Sequence, residues 1–235
     1  MHTAFLLAAG FGTRLRPLTE RVPKPLVPVC GAPMLDYVLA HCAAFGLSRV
    51  VVNAHYLPEQ VQAWARTQRS GVDVMVSVEL PEILGTGGGL KKVFDHLADQ
   101  VVVLNGDVLC DVDLAVLMNE VPEGGAVMVL RPDEDDARDK YGIVATDAEE
   151  RVVDLKKMAV TVPVGATRRD SHFTGIHALD RTVLGRVPVG FGCIVRTAYL
   201  ELVPERNLLA VRHDGIWLDV GDPAAYLETN LAVLK

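Results

Sequence analysis

The chain has 235 residues, half of them hydrophobic and 23% charged, with a net charge of −7; this is the profile of a globular protein with a sizeable core, and an acidic balance is the wrong sign for holding nucleic acid through its phosphates. Cys30, Cys42, Cys110 and Cys193 are scattered, with no CxxC pair and no histidine at zinc-ligand spacing, which argues against a metal knuckle or a disulfide framework and for reduced thiols. Met1–Ala9 is too short and lacks the basic start of a secretory leader, and no apolar run reaches the length of a membrane span, so the expectation is a cytoplasmic protein with no membrane partner.

Apolar, β-rich runs occur at Ala4–Leu7, Val50–Val52, Val72–Val78, Val101–Leu104 and Ala126–Leu130. Between them, helical periodicity predicts helices at Met34–Phe45, Glu59–Arg69, Leu90–Leu97 and Leu114–Glu120. Strand alternating with helix predicts an α/β fold with a parallel sheet covered on both faces. After Leu130 a charged stretch, RPDEDDARDK, leads to shorter strand candidates at Ile143–Ala145, Arg151–Leu155 and His172–Ala178. Their less regular spacing predicts a mixed or antiparallel extension, making the sheet mixed but mostly parallel. Helices at Ile194–Val203 and Ala224–Leu234 close what reads as one domain over 1–235, without repeats or linkers.

The first strand runs straight into Ala8, Ala9, Gly10, Phe11 and Gly12. In an open parallel sheet, ligands bind beyond the carboxyl ends of the strands, and glycines let backbone amides approach an anion or a base closely. The stretch lacks the Gly-Lys-Ser/Thr of a P-loop and the third glycine of a dinucleotide fingerprint, and by itself it is also compatible with a tight strand-to-helix turn. Arg14, Arg16 and Lys24 follow within a loop stiffened by Pro17, Pro23, Pro25 and Pro28. Arg16 and Arg21 read as solvated surface charges.

The stretch GFGTRLRPLTERVPKPLVPV resembles the signature loop of the sugar-1-phosphate nucleotidyltransferases, G-x-G-T-R-L-x-P-L-T followed by P-K-P. The similarity continues through VVNAHYL, LGTGGGL, LNGDV, FTGIHAL and WLDVGDPAAYLETN, with no sign of the extra left-handed β-helix domain that some members carry. The resemblance implies a Rossmann-like three-layer sandwich with the nucleotidyltransferase (GT-A-like) fold. It implies a reaction in which the phosphate of a sugar 1-phosphate attacks the α-phosphorus of an NTP, leaving an NDP-sugar and pyrophosphate. By the family pattern Arg14 contacts the triphosphate and Lys24 the phosphate at the reacting centre. The backbone of Ala8, Ala9 and Gly10, together with Gly12, Thr13, Gly85, Thr86, Gly87, Gly88 and Asn105, holds the nucleotide, and Glu82 stands where many members have a Glu before L-G-T.

Asp107 follows the apolar run VVVLN and Asp219 the run GIWL. Two carboxylates at strand ends, with substrate phosphates supplying further oxygens, suit Mg²⁺. The resemblance assigns the metal to these two residues. Asp111, Asp113 and Asp222 read as turn or helix-cap residues; yet Asp111-Val112-Asp113 spells D-x-D, the metal motif of many glycosyltransferases of related fold, and that alternative stays open. Leu84–Gly89 precedes the helix expected from Leu90, which gives its amides access to a base edge or a phosphate, with a purely structural helix entry as the alternative. Gly175 in FTGI matches the glycine that lies against the sugar. The F-x-E-K-P segment of many members is replaced by VVDLKKMAV, which lacks the Glu and leaves Lys156 or Lys157 to contact the sugar phosphate; Lys157 is the assignment adopted. Uridylyl transfer to an N-acetylmuramate-like sugar phosphate is slightly favoured over guanylyl transfer to mannose 1-phosphate, and cytidylyl transfer to a phosphorylated amino alcohol remains open. The oligomeric state is not legible.

Overall fold

The structure is a computed structural model that describes residues 2–132, 142–155 and 167–234. Lys156, Lys157 and most of the RPDEDDARDK stretch lie outside these residues. In chain order the strands are β1 (His2–Leu7), β2 (Pro28–Val29), β3 (Ala32–Pro33), β4 (Arg49–Ala54), β5 (Asp73–Val78), β6 (Gln100–Asn105), β7 (Val108–Cys110), β8 (Ala126–Pro132), β9 (Ile143–Thr146), β10 (Val152–Leu155), β11 (Arg169–Asp180), β12 (Leu208–Arg212) and β13 (Trp217–Asp219). Helices α1 (Met34–Ala44), α2 (Pro58–Thr67), α3 (Gly85–Lys92) and α4 (Leu114–Asn119) intervene, and a C-terminal helix spans Pro223–Val233. The described residues form two compact units.

The first unit comprises residues 2–84, 104–112 and 215 onward. Its centre is β1, β4 and β5, all parallel, with Ala4 opposite Val50 and Val50 opposite Val74. Thr3–Leu6 and Val50–Ala54 are buried without alternation, as strands covered on both faces require. Helix α1 buries Met34, Leu35, Val38, Leu39 and Cys42, one stripe at helical spacing. Pro58 starts α2, where its missing N–H costs nothing; Val61 and Trp64 face inward, and the Trp64 indole N–H donates to Asp36 Oδ1 at 2.6 Å, tying α2 to α1. A small core of Leu15, Val27, Val29, Met34, Leu109 and Val220 anchors the basic loop to α1, β7 and the residue after β13.

The second unit comprises residues 85–103 and 113–214. Its spine is β11, twelve residues long, antiparallel to β6, β8 and β9, while β12 lies parallel to β8. The antiparallel extension expected after Leu130 is therefore present, and all four cysteines are free thiols.

Two expectations are corrected. The helix expected over Leu90–Leu97 is α3, which begins five residues earlier at Gly85 and stops at Lys92, before a 3₁₀ turn at Phe94–His96. The helix expected over Ile194–Val203 is a π-helical turn, Val195–Tyr199, running into a single α turn, Leu200–Leu202. Strands β2, β3, β7, β12 and β13 are two to five residues long, too short to declare a period.

Candidate active site

At the end of β1, the Ala8 N–H donates to Asn53 Oδ1 at 2.7 Å, fixing the start of the glycine loop to the neighbouring strand β4. Gly12 has φ +63°, and a Cβ there would lie 2.9 Å from Lys24 Cβ and 3.0 Å from Thr19 Cγ2. Only glycine meets both demands. The Thr19 hydroxyl donates to Gly12 O at 2.7 Å and closes the loop on itself. Thr13–Leu15 and Lys24–Leu26 are 3₁₀ turns, with Leu15 and Pro25 buried as anchors. Thr13 and Arg14 are left exposed beside Gly10, while Ala8 and Ala9 are buried and Lys24 is half-buried.

Lys24 Nζ forms an ion pair with Asp107 Oδ2. Gly106 makes this reach possible: its N–H donates to Leu7 O at 2.9 Å, and a Cβ would lie 3.0 Å from that oxygen and 3.2 Å from Leu35. The turn after β6 is thus pressed against the end of β1. Val108 pairs with Asp219 across β7 and β13, and the Val220 N–H donates to Asp107 O at 3.1 Å, so the two carboxylates sit on adjoining backbone. Burial pushes the Asp107 carboxyl above its ordinary range, the Lys24 ammonium pulls it back, and the negative charge of Asp219 raises it again. Among the described residues no cluster of three or more His, Cys, Asp or Glu side chains has metal-binding geometry. The donor set is the acidic pair itself, which suits a hard cation that takes its other oxygens from phosphates and water.

One residue here carried no sequence signal. Glu79, just after β5, is fully buried; its Oε1 accepts from Asn53 Nδ2 and its Oε2 from the Leu84 N–H, both at 2.7 Å. Its own carbonyl meets His55 Nδ1 at 2.8 Å, and His55 in turn packs edge-on against Phe11 of the glycine loop. Glu82, the carboxylate the resemblance singles out, is exposed. Asn105 is half-buried at the end of β6.

In the second unit, the glycines Gly85–Gly89 are the first turns of α3. The N–H groups of Gly87 and Gly88 both donate to Gly192 O, at 2.8 and 3.1 Å, and Thr86 Oγ1 accepts from the Ile194 N–H at 3.0 Å. Two of the loop amides expected to meet a base edge or a phosphate are thus engaged by the segment around Gly192. Gly85, at φ +72°, would place a Cβ 2.8 Å from the same carbonyl. Gly175, at φ +83°, lies where the pairing of β11 with β8 shifts register between Phe173 and His177. Lys157, expected near the sugar phosphate, lies outside the described residues.

Asp113 accepts from the N–H groups of Ala115 and Val116 at 2.9 and 3.0 Å, and Asp222 from Ala225 at 3.0 Å. Both are helix N-caps, as read for them from the sequence, and the second carboxylate of the D-x-D tripeptide is thereby committed to α4.

Residues 3–184 match the family model of the nucleotidyl transferases, and the chain belongs to that family. It is 32% identical over 238 residues to the mannose-1-phosphate guanylyltransferase of Mycobacterium tuberculosis, covering 99% of this chain and 64% of that protein. It is 29% identical over 248 residues to the UTP–glucose-1-phosphate uridylyltransferase of Synechocystis, covering 99% and 63%. The chain thus spans a little under two thirds of the length of these relatives. The crystal structure of HddC from Yersinia pseudotuberculosis complexed with GMP-PN superposes with a TM-score of 0.78 at 22% identity, over 99% of this chain and all of HddC. The α/β fold class expected from the sequence is the fold found.

Proposed function

We propose that the chain is an enzyme that transfers a nucleoside monophosphate from an NTP to a sugar 1-phosphate, releasing pyrophosphate. The observation that carries this reading is the Lys24–Asp107 ion pair held beside Asp219 at the mouth of the glycine loop. It sets a cation and two acidic oxygen donors within one small region, next to backbone that glycine leaves bare. Membership of the family and the kinship with guanylyl- and uridylyltransferases support the same chemistry.

In the proposed reaction a phosphate oxygen of the sugar 1-phosphate attacks the α-phosphorus of the NTP, the bond to the β-phosphate oxygen breaks, and its electron pair leaves with pyrophosphate. Little covalent help is needed; alignment and charge neutralisation dominate. Arg14, exposed on its 3₁₀ turn, meets the triphosphate and neutralises the departing pyrophosphate. Lys24, steadied by Asp107, directs its remaining N–H donors at the reacting phosphate. The bare backbone of Gly10 and Gly12 admits the nucleotide closely. Asp107 and Asp219 are the residues that would hold Mg²⁺, which when bound supplies electrophilic polarisation of phosphate oxygens. Gly175 and Lys157 are assigned to the sugar phosphate side. The cap that Asp113 supplies to α4 gives that carboxylate a structural role and favours this reading over the D-x-D glycosyltransferase one.

A matrix of UTP, GTP, CTP, ATP and dTTP against sugar 1-phosphates, read as pyrophosphate release with Mg²⁺, tests the proposal. Release that requires one NTP and one sugar phosphate together is expected; no release from any pair overturns it.

A further inference from the structure

Glu79 is a fully buried acid with no role in the chemistry above, and its surroundings constrain what it does. A backbone N–H can only donate, so the bond from Ala8 fixes Asn53 with Oδ1 toward Ala8 and Nδ2 toward Glu79. The Leu84 N–H also can only donate. The side chain at position 79 therefore has to accept at both of its oxygens, which a carboxylate does and a carboxamide does not. Its backbone is engaged as well, with the N–H donating to Ala54 O at 2.7 Å and the carbonyl meeting His55. The result is a relay, Ala8–Asn53–Glu79–Leu84, that joins the residue opening the first glycine loop to the residue directly preceding Gly85.

We infer that Glu79 and Asn53 are positioning residues that fix the spacing between Ala8 and Leu84 and so set which nucleobase the protein selects. The inference rests on the nucleotide-binding reading proposed above. Base discrimination depends on hydrogen-bonding edges held to within fractions of an ångström, and a wrong base leaves buried polar groups unpaired. Backbone groups discriminate only if their spacing is rigid, and the relay, which engages the N–H groups of Ala8 and Leu84 and leaves their carbonyls and the neighbouring loop backbone to meet a base, supplies that rigidity.

The polarity of the relay makes the test specific. Glu79→Gln turns an N–H of its amide toward either Asn53 Nδ2 or the Leu84 N–H, donor against donor. Asn53→Asp sets a second carboxylate oxygen against Glu79 Oε1. The double variant Asn53→Asp/Glu79→Gln restores every bond with the polarity of the central one reversed: the carboxylate introduced at position 53 accepts from Ala8 and from the amide introduced at position 79, whose carbonyl oxygen accepts from Leu84. Calorimetric titration with UTP, GTP, CTP, ATP and inorganic tripolyphosphate is expected to show that each single variant binds the preferred NTP on the order of ten-fold more weakly. The preference over the other bases should narrow, tripolyphosphate affinity should not change, and the double variant should recover both affinity and preference to within about two-fold. Single variants with wild-type preference, equal losses for NTP and tripolyphosphate, or a double variant that fails to fold or to recover each overturn the relay. A folded wild-type protein that binds no NTP overturns the nucleotide-binding reading itself and the relay with it, whereas NTP binding unaffected by the variants overturns the relay alone.

Discussion

Lys24 and Asp107 are separated by 83 positions and meet as an ion pair, and the proposed chemistry is concentrated in that contact and in Arg14. If the two cations act mainly on the transition state, Lys24→Met and Arg14→Met lower kcat and kcat/KM together, each by a factor on the order of 10² to 10³. The dissociation constant for NTP should rise much more for Arg14→Met than for Lys24→Met; losses confined to KM in both variants would reduce the loop to a binding element. Asp107 and Asp219 were legible as candidates because each ends an apolar run, and Lys24 because its loop resembles the family signature. The relay residues were not: an Asn inside VVVNA and a Glu after DVMVSV carry no spacing that separates a positioning residue from a satisfied core polar group. Only the three-dimensional pairing of Asn53, Glu79 and Leu84 sets them apart.

At the scale of elements, fully buried strands announced themselves as continuous apolar runs, and α1 and α2 by their period. Helix α3 did not, since glycine is the poorest helix former after proline and four of its eight residues are glycine. Tertiary contacts override propensity there: the Gly192 carbonyl accepts from two of its amides, and a side chain at Gly85 or Gly87 meets the same segment. Gly85→Ala, which adds a Cβ at positive φ against a backbone oxygen, should destabilise the protein by about 1–3 kcal/mol, measured by urea unfolding; a neutral effect would show that the Gly192 segment yields freely. Asp113→Ala should cost about 1 kcal/mol through loss of its cap and leave pyrophosphate release at the wild-type rate. Abolished turnover in a folded Asp113→Ala protein would restore the D-x-D reading.

For the molecule as a whole, the acid limb of stability has an identifiable contributor. His177, buried on β11 with its Nδ1 against the Tyr199 hydroxyl, has its pKa lowered by burial from the ordinary 6.5 to about 3. Above pH 6.5 the ring is neutral whether the chain is folded or not, and the group has no effect on the balance. As pH falls from 6.5 toward 3 the unfolded chain takes up a proton that the folded chain refuses, so stability drops by up to about 1.4 kcal/mol per pH unit from this residue. Denaturant unfolding at about pH 6.5, 5.5 and 4.5 should therefore show a shallower slope for His177→Gln than for wild type; parallel slopes would mean that the buried ring is protonated in the fold.

The direction of phosphoryl chemistry is what separates a nucleotidyltransferase from every rival, and label transfer reads it directly. With the preferred NTP labelled with ³²P at the α-position, a sugar 1-phosphate and Mg²⁺, label is expected to pass into a nucleotide-sugar while γ-label appears only in pyrophosphate, and Asp107→Asn, folded as wild type, is expected to lose most of this transfer. α-Label that never joins the sugar phosphate, or full transfer by both Asp107→Asn and Asp219→Asn, would contradict the proposed reaction.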